Sequence, residues 1–414
     1  MKRVSIAVLP FVLILAAAAC GTADPAAAPP ASFTPATVVQ QLVVEGDDAT
    51  RVIDTATGTT TTLPGGVLSP TSDLIVHVNS SAAKTAVAGV DLAGRPVFDL
   101  ALPGDYRVPN AYGAAPSGFS PNGKFMVLVS RDAAESRFAV IDVAHRAVTQ
   151  MATLSSRFTF DAIHNDGTAM YLIEHPQPGT TAYNVRFYDL VANTLKPDII
   201  FDKAAIAQWD PTVGLMDGTF HVSVAPKTGD WSFGLYMRPN GKPFVHALNV
   251  PGHYAQCIID LAGTWTPASL FSMALADDGR KLYVVDTTGG TVSVIDALSQ
   301  HVTKTGSFQI RSGAADPRNT SAVISKDGSR LYATAAKGVV SLLTSDLSLR
   351  GWLAPDLSVR SLALSNDGAR LFALSGDAVQ IIDASTGKVV SQLAAVTGAR
   401  ALRVLARSGP ASTR

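Results

Sequence analysis

One pattern returns along the chain so often that it dictates the architecture. "KLYVVDTTGGTVSVIDALSQHVTK" starts at Lys281, "RLFALSGDAVQIIDASTGKVVSQL" at Arg370, "RLYATAAKGVVSLLTSDLSLRGWL" at Arg330 and "KFMVLVSRDAAESRFAVIDVAHRAVTQM" at Lys124. Each holds a β-rich run, a polar turn, a second β-rich run, a polar corner and a third run. A short apolar piece and a turn precede each, as in "MALADDG", "AVISKDG", "LALSNDG", "GFSPNG" and "DAIHNDG". A period of roughly 40–60 residues made of four short strands is the mark of a propeller blade.

The turns and corners carry their own logic. Gly123, Gly167, Gly218, Gly279, Gly328 and Gly368 are expected to close the hairpin between the first and second strands, with "SPTSD" as a degenerate earlier copy. Asp-Gly and Asn-Gly suit such turns because both residues tolerate positive φ. The third run ends on Asp54, Asp91, Asp142, Asp189, Asp296 and Asp383, with Arg238 and Thr344 at the matching places of two other units. A carboxylate used six times at one corner is expected to cap that turn by accepting backbone N–H groups, not to do chemistry.

Eight third strands imply an all-β, eight-bladed propeller. Full units start near Gly66, Gly118, Thr159, Val213, Leu270, Thr320 and Arg360. The first unit, around "QLVVEGDDATRVIDTATGTTTTL", lacks an upstream strand, and the tail "ARALRVLAR" from Ala399 is a strand with nothing after it. Joining the two completes an eighth blade and buries two edges that would otherwise invite aggregation. A seven-bladed ring with one irregular unit outside it is the alternative. Asp202 to Ala268 is the least regular stretch.

This repeat is similar to that of YVTN-type β-propellers, which bacteria place outside the cytoplasm. The likeness implies a fold more than an activity, because such propellers serve both as binding platforms and as enzymes. The N-terminus points to the same compartment. Lys2 and Arg3, then "VSIAVLPFVLIL", then "AAAAC" up to Cys20 resemble a bacterial lipoprotein signal peptide. The resemblance implies a lipid on Cys20, although Ala17 stands where such signals more often have Leu. An ordinary secretory signal cleaved near the same alanines is the alternative. The Ala/Pro-rich stretch after Cys20 should be an extended tether. The expected organisation is a signal peptide over 1–20, a tether over 21–37, a propeller over 38–405 and a disordered tail over 406–414.

The chemistry these residues exclude is broad. Of 414 residues, 33 are Lys or Arg and 33 are Asp or Glu, giving a net charge of zero and no basic stripe for nucleic acid. With Cys20 lipidated, Cys257 in "YAQCIIDL" has no disulfide partner and is expected to be a buried, inert thiol. His246, His253 and Cys257 lie close in sequence but match no metal-ligand spacing. There is no Cys-x-x-Cys-His, no Gly-x-Ser-x-Gly and no phosphate loop. No metal and no cofactor are expected. "IIDASTGKVVSQL" looks somewhat like a quinoprotein dehydrogenase repeat, but Val390 and Gln392 fill the place where such repeats end in Trp.

The expected function is non-catalytic binding of a protein, peptide or glycan at the outer face of the cell membrane. A lactonase-like or other propeller hydrolase is the alternative. The ligand should meet the loops joining one blade to the next. Three of these read as long, from Pro103, from Asp202 and from Pro251, and long loops on a rigid scaffold carry recognition. They nominate Tyr106, Arg107, Trp209, Asp210, His253, Tyr254 and Trp265 as ligand contacts, aromatic and Arg side chains being the usual anchors of binding surfaces.

Overall fold

The computed structural model describes residues 40–406, apart from 56, 110–117, 132–134, 177–178, 201–215, 314–315 and 317–319, and not the side chains of 131, 255–257 and 406. Eight antiparallel sheets follow one another around a ring. This is an eight-bladed β-propeller, with strands running from the channel outward in chain order in every blade but the first.

Blade 1 is shared between the two ends. Ala399–Ala406 is its innermost strand and pairs antiparallel with Gln40–Gly46, from Gln40↔Ala406 to Gly46↔Ala399. Ala49–Asp54 and Thr60–Pro64 complete it. The other innermost strands are Val67–Leu68 (blade 2), Phe158–Ile163 (blade 4), Thr219–Val224 (blade 5), Phe271–Leu275 (blade 6), Ala322–Ile324 (blade 7) and Ser361–Leu364 (blade 8). Blade 3 has three strands, Phe125–Arg131, Ser136–Asp142 and Ala147–Leu154. On its channel side there are isolated bridges, Phe119↔Met126 and Arg107↔Val129.

Packing explains the sequence pattern. In blade 6 the second and third strands, Lys281–Asp286 and Thr291–Asp296, are buried on both faces, whereas the outer strand His301–Ser307 is mostly exposed. A strand sandwiched between neighbouring blades must be apolar throughout, so it reads as an unbroken Val/Ile/Leu run. Eight hydrophobic clusters result, each bridging two neighbouring blades. Val43, Val52, Leu63 and Ile75, for example, join blade 1 to blade 2.

The corners behave as the repeat predicts. Asp54 accepts the N–H of Thr57, Asp91 those of Ala93 and Arg95, Asp142 that of His145, and Asp189 those of Val191 and Ala192. Asp296 accepts Leu298 and Ser299, and Asp383 accepts Ser385 and Thr386. The turn that follows ends on a residue with positive φ: Arg146, Asn193, His253, Gln300 and Leu347 in five blades, and a glycine such as Gly387 elsewhere.

Blade 5 corrects three readings. Arg238 does not end its third strand; it follows the second, Trp231–Met237. The third strand is Pro243–Asn249, and Asn249 Oδ1 accepts the Gly252 N–H at 2.6 Å as the corner aspartates do. Gly218 is not the first hairpin glycine. It precedes the innermost strand, which starts at Thr219 and not near Val213, and Gly229 (φ 74°) makes that turn. The stretch from Pro251 is not one long connection either, because Tyr254–Asp260 is the blade's outer strand. Cys257 lies in that strand opposite Ala247, and its side chain falls outside the described residues.

Candidate functional site

The ring is not uniform at its channel. The innermost strands of blades 6, 7 and 8 pair with their neighbours without irregularity. Serine hydroxyls then tie blade to blade: Ser321 Oγ accepts the Leu362 N–H at 3.0 Å, and Ser361 Oγ accepts that of Leu402 at 3.1 Å. Blades 4 and 5 differ. Phe160 faces Leu172 and Ala162 faces Tyr171, so Asp161 is an extra, bulged residue. In the next blade Phe220 faces Tyr236 and Val222 faces Leu235, which makes His221 the bulge. Bulges re-aim a side chain and concentrate at functional sites.

The two bulged side chains meet different fates. His221 Nε2 lies 3.1 Å from the Phe271 carbonyl, which accepts its proton, and burial lowers the ring's pKa. Asp161 makes no hydrogen bond or ion pair with any described residue, and burial alone pushes its carboxyl up to about 7. Such a perturbed group in a concavity is a site candidate on physical grounds.

Asp161 lines a cavity of about 660 Å³ built by blades 3, 4 and 5, within the usual range for small-ligand sites. Its inner wall is aromatic. Tyr183 stacks on Tyr236 with centroids 4.8 Å apart, and Phe220 meets Tyr236 edge-on at 5.5 Å. Tyr183 is only 1% exposed, yet its hydroxyl has no hydrogen-bond partner. Burial, and then the negative charge of Asp161, raise the pKa of Tyr183 well above the usual value. Buried tyrosines normally find a partner, as Tyr171 does by donating to the Val250 carbonyl. Arg107 and Arg157 also line the cavity, both on exposed positions. The Arg107 guanidinium donates to Asp105 at 2.9 Å and, together with Ser80, holds that carboxyl below its ordinary pKa.

The sequence-predicted contacts scatter. Arg107 reaches the cavity with its neighbours Val108 and Pro109. Tyr106 does not; it is 2% exposed, packed with Phe119 and Leu102 between blades 2 and 3. His253 and Tyr254 are not in a connection between blades: they sit on the outer hairpin of blade 5, where His253 stacks on Phe187 at 4.3 Å. Trp265 lies between blades 5 and 6 and lines a second concavity of about 580 Å³ with Arg238 and Asp217. Trp209 and Asp210 lie outside the described residues, as does Cys20. Asp161, Tyr183, Phe220 and Tyr236 are the residues that sequence reasoning missed. One signal was present. Asp161 stands six places before Gly167, where the other units hold Met273, Ala322 and Leu362 before their own turn glycines. A carboxylate stands there where those three units hold an apolar residue and blade 5 holds Ser223, six places before Gly229.

Among the described residues no group of three or more His, Cys, Asp or Glu is placed to hold a metal ion. No protein-family model matches the sequence, and no curated protein matches it. Solved structures do match in shape. Apo AztD from Citrobacter koseri superposes with a TM-score of 0.59 at 13% identity, covering 90% of this chain and 99% of that one. Dihydro-heme d1 dehydrogenase NirN in complex with DHE gives 0.56 at 12%, covering 88% and 74%. At such identities the likeness is one of fold.

Proposed function

We propose that this chain is a non-catalytic binding scaffold on a YVTN-type propeller, lipid-anchored through Cys20 at the outer face of the cell membrane, which receives its ligand in the cavity of blades 3 to 5. The observation that carries the binding site is a built, aromatic-walled cavity holding two polar side chains, Asp161 and Tyr183, that no described residue satisfies. Buried polar groups left unpaired are costly, and a ligand that pairs them recovers that cost on binding. The cavity admits a small molecule, or a residue that projects from a larger protein, peptide or glycan.

An enzymatic reading has one observation in its favour. A carboxyl titrating near 7 suits a general base at neutral pH. In hydrolysis of a lactone or ester such a base activates a water, and a donor must also stabilise the developing oxyanion. The binding reading is favoured because Asp161 and the buried Tyr183 hydroxyl both stand unpaired by any described residue, which a ligand held by the two would satisfy.

Two experiments test the reading. Ligand-observed NMR of a fragment set containing cations, anions and neutral molecules should give hits that vanish in Thr159→Trp, which fills the cavity from the innermost strand of blade 4. Hits that persist in a folded Thr159→Trp, or no hits in the wild type, would refute the site. For the anchor, metabolic incorporation of labelled palmitate should occur in the wild type and be lost in Cys20→Ser; equal label in both refutes it.

A further inference from the structure

We infer that the group received by this cavity is an organic ammonium, its positive nitrogen placed against Asp161 and beside the aromatic wall formed by Tyr183, Tyr236 and Phe220. The inference rests on the binding reading above and adds the chemistry of the ligand. It comes first from what Asp161 lacks. The corner aspartates each hold backbone N–H groups, and Glu174 holds the Arg186 guanidinium at 2.6 Å. Of the two carboxylates among the described residues that line the cavity, Asp161 has no donor and Asp105 is paired with Arg107.

The charged and titratable groups around the cavity supply no counter-ion. No lysine lines it. Arg238 stacks over the Phe244 ring at 4.2 Å and pairs with Asp260 at 2.8 Å. Arg157 is on an exposed position, where solvent screens it, and Asp217 accepts the Thr181 hydroxyl. His246, whose ring centroid is 5.9 Å from that of Tyr236, is held neutral by burial that lowers its pKa to about 4. His175 lies on the wall beside Thr159, its Nε2 3.4 Å from the threonine hydroxyl. A negative charge without an internal partner, walled by electron-rich rings, favours a cation over an anion or a neutral molecule. The Tyr183 hydroxyl, buried and unpaired, offers an acceptor for an ammonium N–H.

The ammonium could belong to a free amine or to a lysine side chain of a bound peptide. Calorimetry on the full chain in detergent separates these cases. The probes are 2-phenylethylammonium, its neutral isostere 2-phenylethanol, the anion phenylacetate, and the peptide acetyl-Ala-Lys-Ala-amide. At pH 8 an ammonium probe should bind at least tenfold more tightly than 2-phenylethanol and phenylacetate. That preference should disappear in Asp161→Asn and weaken several-fold in Tyr183→Phe. Lowering the pH from 8 to 6 protonates Asp161 and should weaken ammonium binding about tenfold in the wild type and not in Asp161→Asn. Tighter binding of the free amine assigns a small-molecule source, and tighter binding of the peptide assigns a lysine; both support the inference. Equal affinity for amine and alcohol, or a cation preference that survives in Asp161→Asn, overturns it. Phenylacetate binding most tightly, with loss in Thr159→Trp, overturns the ammonium while keeping the cavity as a binding site. No response to any probe, together with no fragment hits, removes both.

Discussion

Asp296 accepts the backbone N–H of Ser299 at 2.7 Å, its hydroxyl at 2.9 Å and the Leu298 N–H at 3.1 Å, and these bonds hold its carboxyl below the ordinary range. Asp327 is lowered to about 2, first by the Ser325 hydroxyl and then by Ser329. Asp161 moves the other way, up to about 7, because nothing but burial acts on it. The signs give two pH windows. Carboxylates with lowered pKa stabilise the fold above about pH 4 and lose that contribution as pH falls toward 2. For Asp161 the folded state keeps its proton between about pH 4 and 7 while the unfolded chain has lost it, so stability declines as pH rises through that window. Asp161→Asn should therefore match the wild type in Tm at pH 4 and exceed it by about 1–3 °C at pH 8. Thermal unfolding across that range checks this; a wild type more stable than the variant at pH 8 would contradict the half-buried, unpartnered carboxyl. The Asn249 corner gives a second residue-level expectation. Asn249→Asp should change stability by less than about 0.5 kcal/mol, and Asn249→Ala should cost about 0.5–2 kcal/mol, as other side-chain caps do. Denaturant melts of the two variants measure the difference.

At the scale of the strand and blade, the repeat was legible wherever the corner residue was Asp and the hairpin glycine followed Asp or Asn. Blades 6 and 8 were readable almost to the residue, since "TVSVID" and "AVQIID" are third strands ending at Asp296 and Asp383. Blade 5 was misplaced for a physical reason. Asn249 does there what Asp does in six other blades, and "MDG" at Met216–Gly218 imitates a hairpin turn although Met216–Asp217 pairs with the third strand of blade 4. That shift carried His253 and Tyr254 from an outer hairpin into an apparent connection. The site was hidden for a different reason. A bulge adds one residue without changing composition, so sequence alone does not reveal that Asp161 turns into a cavity. The rings around it, Tyr183 and Tyr236, come from the third strand of blade 4 and the second strand of blade 5 and become neighbours only when the blades stack.

For the whole molecule, closure rests on one strand. Ala399–Ala406 buries Leu402 and Ala399 against blades 1 and 8 and covers Leu42 and Val44 of the first strand. Arg400 also pairs with Asp47, and its guanidinium donates to the Gly66 carbonyl at 3.0 Å. Burying each large apolar side chain is worth about 1.5–3 kcal/mol, so losing several approaches the total stability of a domain. Deleting residues 399–414 should thus abolish cooperative unfolding or leave the chain insoluble, whereas deleting 407–414 should shift Tm by less than about 2 °C. Differential scanning calorimetry of the two truncations would distinguish closure by this strand from a ring that holds without it.

That same seam sets an order in time. Gln40 can meet Ala406 only after every residue between them has left the ribosome, which at about 5–20 residues per second takes roughly 20–70 s. Throughout that interval the Leu42-Val43-Val44 edge has no partner, whatever the other blades have achieved. The last strand made is the one the first strand waits for, so that edge stays open to other pairing until synthesis is complete.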